Sequence, residues 1–219
     1  LGERFATHLV ATALRHAGVA ARTVDATELI VTDNHYGAAW PFAAESSERI
    51  RARLRSLLQA RIVPVITGYI GGTREGNVTT LGRGGGDYSA TLIGAALGAD
   101  EVCIWTDVNG ILTADPKLVP EARTLPEISY SEAVDIATFG PEILHPRALT
   151  PLIEQNIPLS IRNVLRPSHP GTRIVYDKND ASGSKQGAVK AVTAIDKVSM
   201  VTVSGSGLRG VAGIAGRTF

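Results

Sequence analysis

Six residues, Gly82-Arg83-Gly84-Gly85-Gly86-Asp87, do most to limit the folds open to this chain. They stand between the short stretch Thr79-Thr80-Leu81 and a helix-like run over residues 88–97 that Gly98 closes. Glycines let a backbone take positive φ and approach an anionic ligand closely. A helix starting here aims unpaired N–H groups and a positive dipole end at such a ligand. Arg83 can grip a carboxylate through two parallel hydrogen bonds, and Asp87 can accept from an ammonium group. The loop therefore has the parts to hold both ends of an amino acid beside phosphates. It also fits a plain strand-to-helix turn in which Asp87 only caps the helix. Asp87 occupies the place where a dinucleotide fingerprint needs its last glycine, and no Gly-Lys-Ser/Thr of the Walker type occurs.

Around this loop, strand-like and helix-like segments alternate. Phe5, Leu9, Val10, Ala13 and Leu14 recur at helical spacing over residues 4–17, with Gly18 as a stop. Residues 29–32 read as a strand, and Ile50, Leu54, Leu57 and Leu58 mark one helix face. Residues 62–66 read as a buried strand, although Pro64 removes a ladder donor. Residues 102–106 read as another. Ser129 and Glu132 have the spacing of a capping box for a helix through Ala137. Residues 146–155 look helical and 157–161 extended. This alternation predicts an α/β domain with a largely parallel sheet.

After Ile174 the composition shifts. Residues 177–187 are polar and read as a linker. Residues 189–195 and 198–204 alternate like a hairpin, and a glycine-rich turn over 204–213 leads to a helix start near Ile214. The expected organisation is a domain over 1–176, a linker over 177–187, and the opening of a second, α+β domain over 188–219.

The 219 residues, 44% hydrophobic, suffice for one large domain or one domain plus part of another. Lys plus Arg number 22 against 21 Asp plus Glu, so no electrostatic case exists for a dedicated nucleic-acid binder. A single cysteine, Cys103, excludes a disulfide scaffold and a multi-cysteine metal site, and its mid-strand position reads as inert core. No apolar run is long enough to cross a bilayer and nothing N-terminal resembles a signal peptide, so the expectation is a cytoplasmic protein without a membrane partner. The chain opens on Leu1 and stops at Phe219 within an incipient helix, which reads as a piece of a longer product.

Two further motifs carry chemistry. In Trp105-Thr106-Asp107-Val108-Asn109-Gly110-Ile111, a strand ending in Thr-Asp puts a carboxylate at the sheet edge where α/β proteins bind ligands. Asp107 can orient Mg²⁺ or lysines around transferring phosphate oxygens, and Lys117 can contact phosphate. An ordinary turn with a solvated Asp fits that motif equally. In Phe139-Gly140-Pro141-Glu142-Ile143-Leu144-His145-Pro146, His145 reads as structural, because no acid or nucleophile is spaced to pair with it. His8, His16, His35 and His169 show no ligand spacing, so no protein-bound metal site is expected.

Taken in order, residues 79–90, 104–116, 139–146 and Pro170-Gly171-Thr172 resemble aspartokinases of the amino acid kinase family. Tyr69-Ile70-Gly71 is similar to the family's Gly-Phe-Ile-Gly segment, and Gly2-Glu3 to the Gly-Glu that opens a helix. The tail from Val203-Ser204-Gly205 to Phe219 resembles the start of an ACT regulatory domain, most like the form fused to homoserine dehydrogenase. The resemblance implies a three-layer αβα sandwich with a mainly parallel sheet, followed by that α+β domain. It implies transfer of the ATP γ-phosphate, with Mg²⁺, to the side-chain carboxylate of L-aspartate. The product is 4-phospho-L-aspartate, the first step toward lysine, threonine and methionine. By position, Glu3, Tyr69, Thr80, Arg83 and Asp87 are implied for the aspartate site, with Arg83 on a substrate carboxylate and Asp87 and Glu3 toward its ammonium. Thr106, Asp107, Gly110 and Lys117 are implied at the nucleotide, with Ile143 near the adenine. Asp107 and Arg83 are the implied catalytic residues. A feedback amino acid, threonine or lysine, and homo-oligomers paired through ACT domains are also implied.

Three positions depart from the family pattern. Gly86 replaces a serine and so removes a hydroxyl, Pro141 and Glu142 stand where Gly-Ala-Lys is common, and Lys117 replaces a frequent arginine and loses the planar fork. The family's opening Lys-x-Gly-Gly segment, a sheet strand and phosphate clamp, has no counterpart, which implies a piece inactive on its own. Two other readings stay open: a non-catalytic amino-acid or nucleotide-binding regulator on the same scaffold, and a sister kinase acting on glutamate or a nucleotide.

Overall fold

The N-terminal helical spacing is realised as α1 (Gly2–His16) in a computed structural model that describes residues 1–139, 144–176 and 189–194. Thr7 and Ala11 are its buried residues, so Phe5, Leu9 and Val10 stay on an exposed face. β1 (Ala21–Val24) pairs in parallel with β3 (Val63–Ile66). Residues 29–32 do not form the expected strand throughout. Asp25 accepts from the Thr27 N–H (3.0 Å) and caps a 3-10 turn, Ala26–Glu28, leaving β2 as Val31–Thr32 alone. In α2 (Ala43–Gln59), Ile50, Leu54 and Leu57 are buried as the spacing predicts, whereas Leu58 is exposed.

β4 (Ile70–Thr73) lies parallel to β2 and turns back antiparallel into β5 (Val78–Thr80). Close packing dictates its glycines: a β-carbon on Gly71 would stand 2.7 Å from Thr32 Cγ2, and one on Gly72 2.8 Å from the Thr27 carbonyl oxygen. α3 (Gly85–Leu97) starts earlier than the sequence suggests. Its N-cap is Gly84 with φ +69°, no side chain caps it, and Asp87 sits within the first turn. Gly98 ends it in the left-handed conformation, as expected.

β6 (Val102–Thr106) is buried on one face only. Cys103 and Trp105 are exposed, which corrects the reading of Cys103 as core. β7 (Glu127–Ser129) runs into α4 (Tyr130–Phe139) through the predicted capping box. The Ser129 N–H donates to Glu132 Oε2 (2.8 Å) and the Glu132 N–H to Ser129 Oγ (3.2 Å). α5 (Pro146–Gln155) has proline at its first turn and His145 as N-cap. β8 (Leu159–Asn163) and β9 (Thr172–Val175) complete a four-stranded sheet of order β6-β8-β9-β7. Four strand pairs are parallel, β1–β3, β2–β4, β6–β8 and β7–β9, against the antiparallel pairs β4–β5 and β8–β9. The architecture is thus mixed α/β and rich in parallel pairing.

Two apolar clusters hold it together. One gathers Leu29, Ile30, Ile50, Leu54 and Leu81, the other Ile128, Leu149, Leu152, Leu159, Ile161 and Ile174. Each fully buried side chain contributes about 1.5–3 kcal/mol. Tyr88 of α3 packs against both clusters, so the helix that follows the glycine-rich loop joins the two halves.

The expected linker over 177–187, Glu142 and Ile143, and residues 195–219 of the expected hairpin, turn and helix start lie outside the described residues. Residues 189–194, expected to begin the first strand of that hairpin, form no strand and lie against the α/β body. The Val192 N–H donates to the Thr113 carbonyl (2.9 Å), and Lys190 Nζ stands 2.7 Å from Glu132 Oε1. Among the described residues no helix is long and apolar enough to cross a membrane.

Candidate functional site

The glycine-rich loop is held from both ends. Leu81 is fully buried, and the Thr80 carbonyl accepts the Ala39 N–H (2.9 Å). Gly82, at φ +76°, passes so close to the loop over residues 33–41 that a β-carbon would stand 3.1 Å from the Gly37 carbonyl oxygen. On its other side, a β-carbon on Gly85 would meet Leu81 Cβ and Tyr69 Cδ2, each at 2.9 Å.

Tyr69 itself holds φ +67°, a strained value for a residue with a β-carbon. Its N–H donates to Ser89 Oγ (3.0 Å), and its carbonyl accepts from the Leu81 N–H (2.9 Å). Gly68 faces Gly86: a β-carbon on Gly68 would be 3.6 Å from Gly86 Cα and 3.9 Å from Glu3 Oε2. Residues from α1, the strained turn and the first turn of α3 therefore converge. Of the residues expected at an amino-acid substrate, Glu3, Tyr69 and Asp87 come from these three segments, Thr80 pairs across from Ile70 next to Tyr69, and Arg83 lies on the glycine-rich loop just before α3.

Asp87 is the electrostatic oddity. Burial pushes its carboxyl above the ordinary aspartate value, and no other influence opposes this. No hydrogen bond or ion pair reaches it from the described residues. A half-buried carboxylate without a cation is a natural receptor for an ammonium group, and it sits beside Arg83 at a helix N-terminus suited to anions. Both line a cavity of about 480 Å³, together with Gly84, Ala137, Thr138, Leu144, His145 and Pro146. That size falls within the range of small-molecule sites, roughly 300–1,000 Å³.

The second group gathers at the C-terminal end of β6. Thr106 Oγ1 donates to Asp107 Oδ1 (3.3 Å), and Asn163 Nδ2 donates to the Asp107 carbonyl (3.2 Å) and to Asn109 Oδ1 (2.8 Å). Gly110, at φ +102°, is obligatory: a β-carbon would lie 2.5 Å from Thr172 Oγ1, which accepts the Ile111 N–H (2.8 Å). Asp107 is left exposed at the strand end. Lys117 stands farther along the loop, its N–H on Asp115 Oδ1 (2.8 Å). Among the described residues no cluster of three or more His, Cys, Asp or Glu is arranged to hold a metal ion.

Sequence reasoning missed part of the wall. His145 caps α5 through its Nδ1, which accepts the Arg147 N–H (3.2 Å), so the structural reading holds, yet it also lines the cavity. Ala137 and Thr138 join it there from α4. Only the tertiary approach of α5 to Gly84 places them, and no local spacing signals that.

The amino acid kinase family model matches residues 1–163. The bifunctional aspartokinase/homoserine dehydrogenase of Haemophilus influenzae is 38% identical over 218 residues, an alignment that takes in 100% of this chain and 26% of that protein. The chain thus spans about a quarter of the length of that relative. The crystal structure of E. coli aspartokinase III in complex with aspartate and ADP aligns with a TM-score of 0.77 at 37% identity, over 82% of this chain and 40% of that one. The same enzyme with lysine and aspartate aligns with a TM-score of 0.74 over the same shares. With a family model covering most of its length and a fold to match, the chain belongs to the amino acid kinase family.

Proposed function

We propose that the chain supplies most of the catalytic domain of an aspartate kinase, which moves the γ-phosphate of ATP to the side-chain carboxylate of L-aspartate. The observation that carries this reading is the unpartnered, half-buried Asp87 beside Arg83 at the start of α3. The aspartate and ADP held by a similar aspartokinase support it. Arg83 takes a carboxylate of the acceptor, while Asp87 and Glu3 face its ammonium. Tyr69 and Thr80 shape the floor. Thr106, Asp107, Gly110 and Lys117 border the nucleotide, with Ile143 toward the adenine. A side-chain oxygen of the acceptor attacks the γ-phosphorus, the bond to the β-phosphate oxygen breaks, and ADP leaves. No proton needs to move, so positioning and charge neutralisation supply most of the acceleration.

The Asp107 carboxylate, exposed at the end of β6, fits the sparse protein ligation of a Mg²⁺ that arrives with nucleotide phosphates. When bound, that ion neutralises phosphate charge. Asp107, oriented by Thr106 and Asn163, is the residue that would hold it. In the same reading, residues 1–176 are part of the catalytic domain and 188–219 open an ACT-type domain beyond a linker at 177–187. A feedback amino acid, lysine or threonine, acts there, and the cytoplasmic enzyme pairs into homo-oligomers. The lysine bound by a similar aspartokinase supports the feedback element.

The test is to incubate the complete gene product with ATP, Mg²⁺ and L-aspartate and trap the acyl phosphate with hydroxylamine. Aspartyl hydroxamate is the expected product. Binding of both ligands without hydroxamate would instead make the protein a non-catalytic regulator.

A further inference from the structure

Arg147, in the first turn of α5, lies with its guanidinium carbon 4.5 Å from the ring centre of Trp40 and 5.3 Å from that of Tyr88. Its Nε and Nη2 form the edge of the fork suited to a carboxylate. Both are shut away from solvent and find no acceptor among the described residues. An arginine retained for an ion pair would have an acceptor there. What the structure gives this side chain is a guanidinium over two rings, where a planar group can stack and a lysine ammonium offers only a point charge.

The attachment points of the stack all lead to the site. The Arg147 N–H donates to Nδ1 of His145, the residue packed against Gly84. Tyr88 directly follows Asp87. Trp40 belongs to the loop over 33–41, whose Ala39 N–H donates to the Thr80 carbonyl and whose Gly37 carbonyl flanks Gly82. One guanidinium is thus shared by α5, α3 and the loop that backs the glycine-rich segment.

We propose that Arg147 is a positioning residue: lying over both Trp40 and Tyr88, it sets the wall carrying His145 against the segment carrying Arg83 and Asp87. The role rests on the aspartate kinase reading of that site, and Arg147 acts through its neighbours rather than on a substrate.

A series at position 147 in the complete gene product tests it, with kcat and the KM values for aspartate and ATP measured separately. Arg147→Gln keeps a flat end without charge, Arg147→Lys keeps charge without a plane, and Arg147→Met keeps neither. Stacking predicts that kcat falls in the order Arg, Gln, then Lys with Met, the Met variant down about tenfold, since misplaced substrates lose rate. Both KM values should move much less. A Lys variant faster than the Gln variant would overturn the proposal, and so would a wild-type kcat throughout the series. A second readout needs no turnover. In the 219-residue chain carrying Trp105→Phe, Trp40 is the sole indole, and adding Arg147→Met should shift its emission. An unmoved spectrum removes the stack, and the proposal with it, even in an active aspartate kinase. Absence of aspartate turnover in the wild type would instead remove the kinase reading and this role with it, while the spectrum still reports whether the stack exists.

Discussion

Gly84 and His145 pack so closely that a β-carbon on Gly84 would stand 2.4 Å from that of His145. Gly84 is the N-cap of α3 and His145 the N-cap of α5, so the contact brings together the starts of two helices that wall one cavity. The side chains that carry charge, Arg83 and Asp87, are displayed from one of these starts. Their placement relative to the other wall depends on an atom that glycine lacks.

Gly84→Ala and Gly86→Ala should therefore act in opposite directions. At Gly84 the left-handed backbone alone costs a β-carbon about 1–2 kcal/mol, and the collision with His145 adds to it. At Gly86 φ is ordinary and a β-carbon meets nothing within 4 Å, so alanine should stabilise α3 by about 0.5–1 kcal/mol. Thermal unfolding of the two variants checks this. Equal melting temperatures would mean that the tight point of the loop lies elsewhere.

Asp87→Asn separates stability from ligand binding. Burial raises the Asp87 carboxyl in the folded state above its ordinary value of 3.8, so the folded protein holds this proton longer than the unfolded chain. The group's stabilising contribution is then fully present below the unfolded pKa and is lost as pH rises through the folded pKa. Asparagine removes that loss, so the variant should melt no lower than wild type at neutral pH. An acceptor ammonium, in contrast, loses its charged partner. Its affinity should fall about 10- to 100-fold, the equivalent of a hydrogen bond to a charged group. Calorimetric titration with L-aspartate reads the second effect, and unchanged affinity would take Asp87 out of the acceptor site.

How legible the chain was depends on whether the signal was local. The Ser129–Glu132 capping box and the His145-Pro146 start of α5 could be read directly, because each is complete within four residues. The start of α3 was misplaced, because a positive-φ glycine rather than the Asp87 side chain ends the loop. The hairpin of β4 and β5 was hidden by Gly71 and Gly72, whose reason is the neighbouring Thr32 and Thr27 rather than any pattern of alternation. Cys103 reads as core from sequence because the stretch is apolar, which does not show that one face of this strand is open. The site followed the same rule. Arg83 and Asp87 announced themselves in one loop, whereas Ala137, Thr138 and His145 join it only through the packing of α3 on α5.

Arg83 should carry acceptor affinity rather than nucleotide affinity. Arg83→Ala should raise the aspartate KM strongly, by about 10-fold or more, from the loss of a charge-assisted pair, with the ATP KM little changed. Arg83→Lys should recover only part of this, because a point charge cannot replace a planar fork. Steady-state kinetics with each substrate varied in turn decides it. A shift confined to ATP would move Arg83 to the nucleotide side.

Lys190 tests how residues 189–194 are held on the α/β body. Its Nζ lies 2.7 Å from Glu132 Oε1 and 3.0 Å from Oε2, and two residues later the Val192 N–H donates to the Thr113 carbonyl. Partial burial pushes the Glu132 carboxyl up, but Lys190 and the Ser129 N–H together hold it below its ordinary value. A depressed carboxylate stabilises the fold above its unfolded pKa, and that contribution is lost as pH falls through the folded value. The pair is partly exposed, so its share of global stability is small. Its local effect should still be visible, because Val192 is exposed. Lys190→Met and Glu132→Gln should both lower the exchange protection factor of the Val192 amide, and in wild type that factor, with the intrinsic pH dependence of exchange divided out, should fall likewise on acidification through the Glu132 titration. Glutamine still serves the capping box, so α4 should survive that change, whereas Glu132→Ala should cost α4 about 1 kcal/mol as well. Val192 exchange that ignores both Lys190→Met and Glu132→Gln would show that the backbone bond to Thr113 stands without the ion pair.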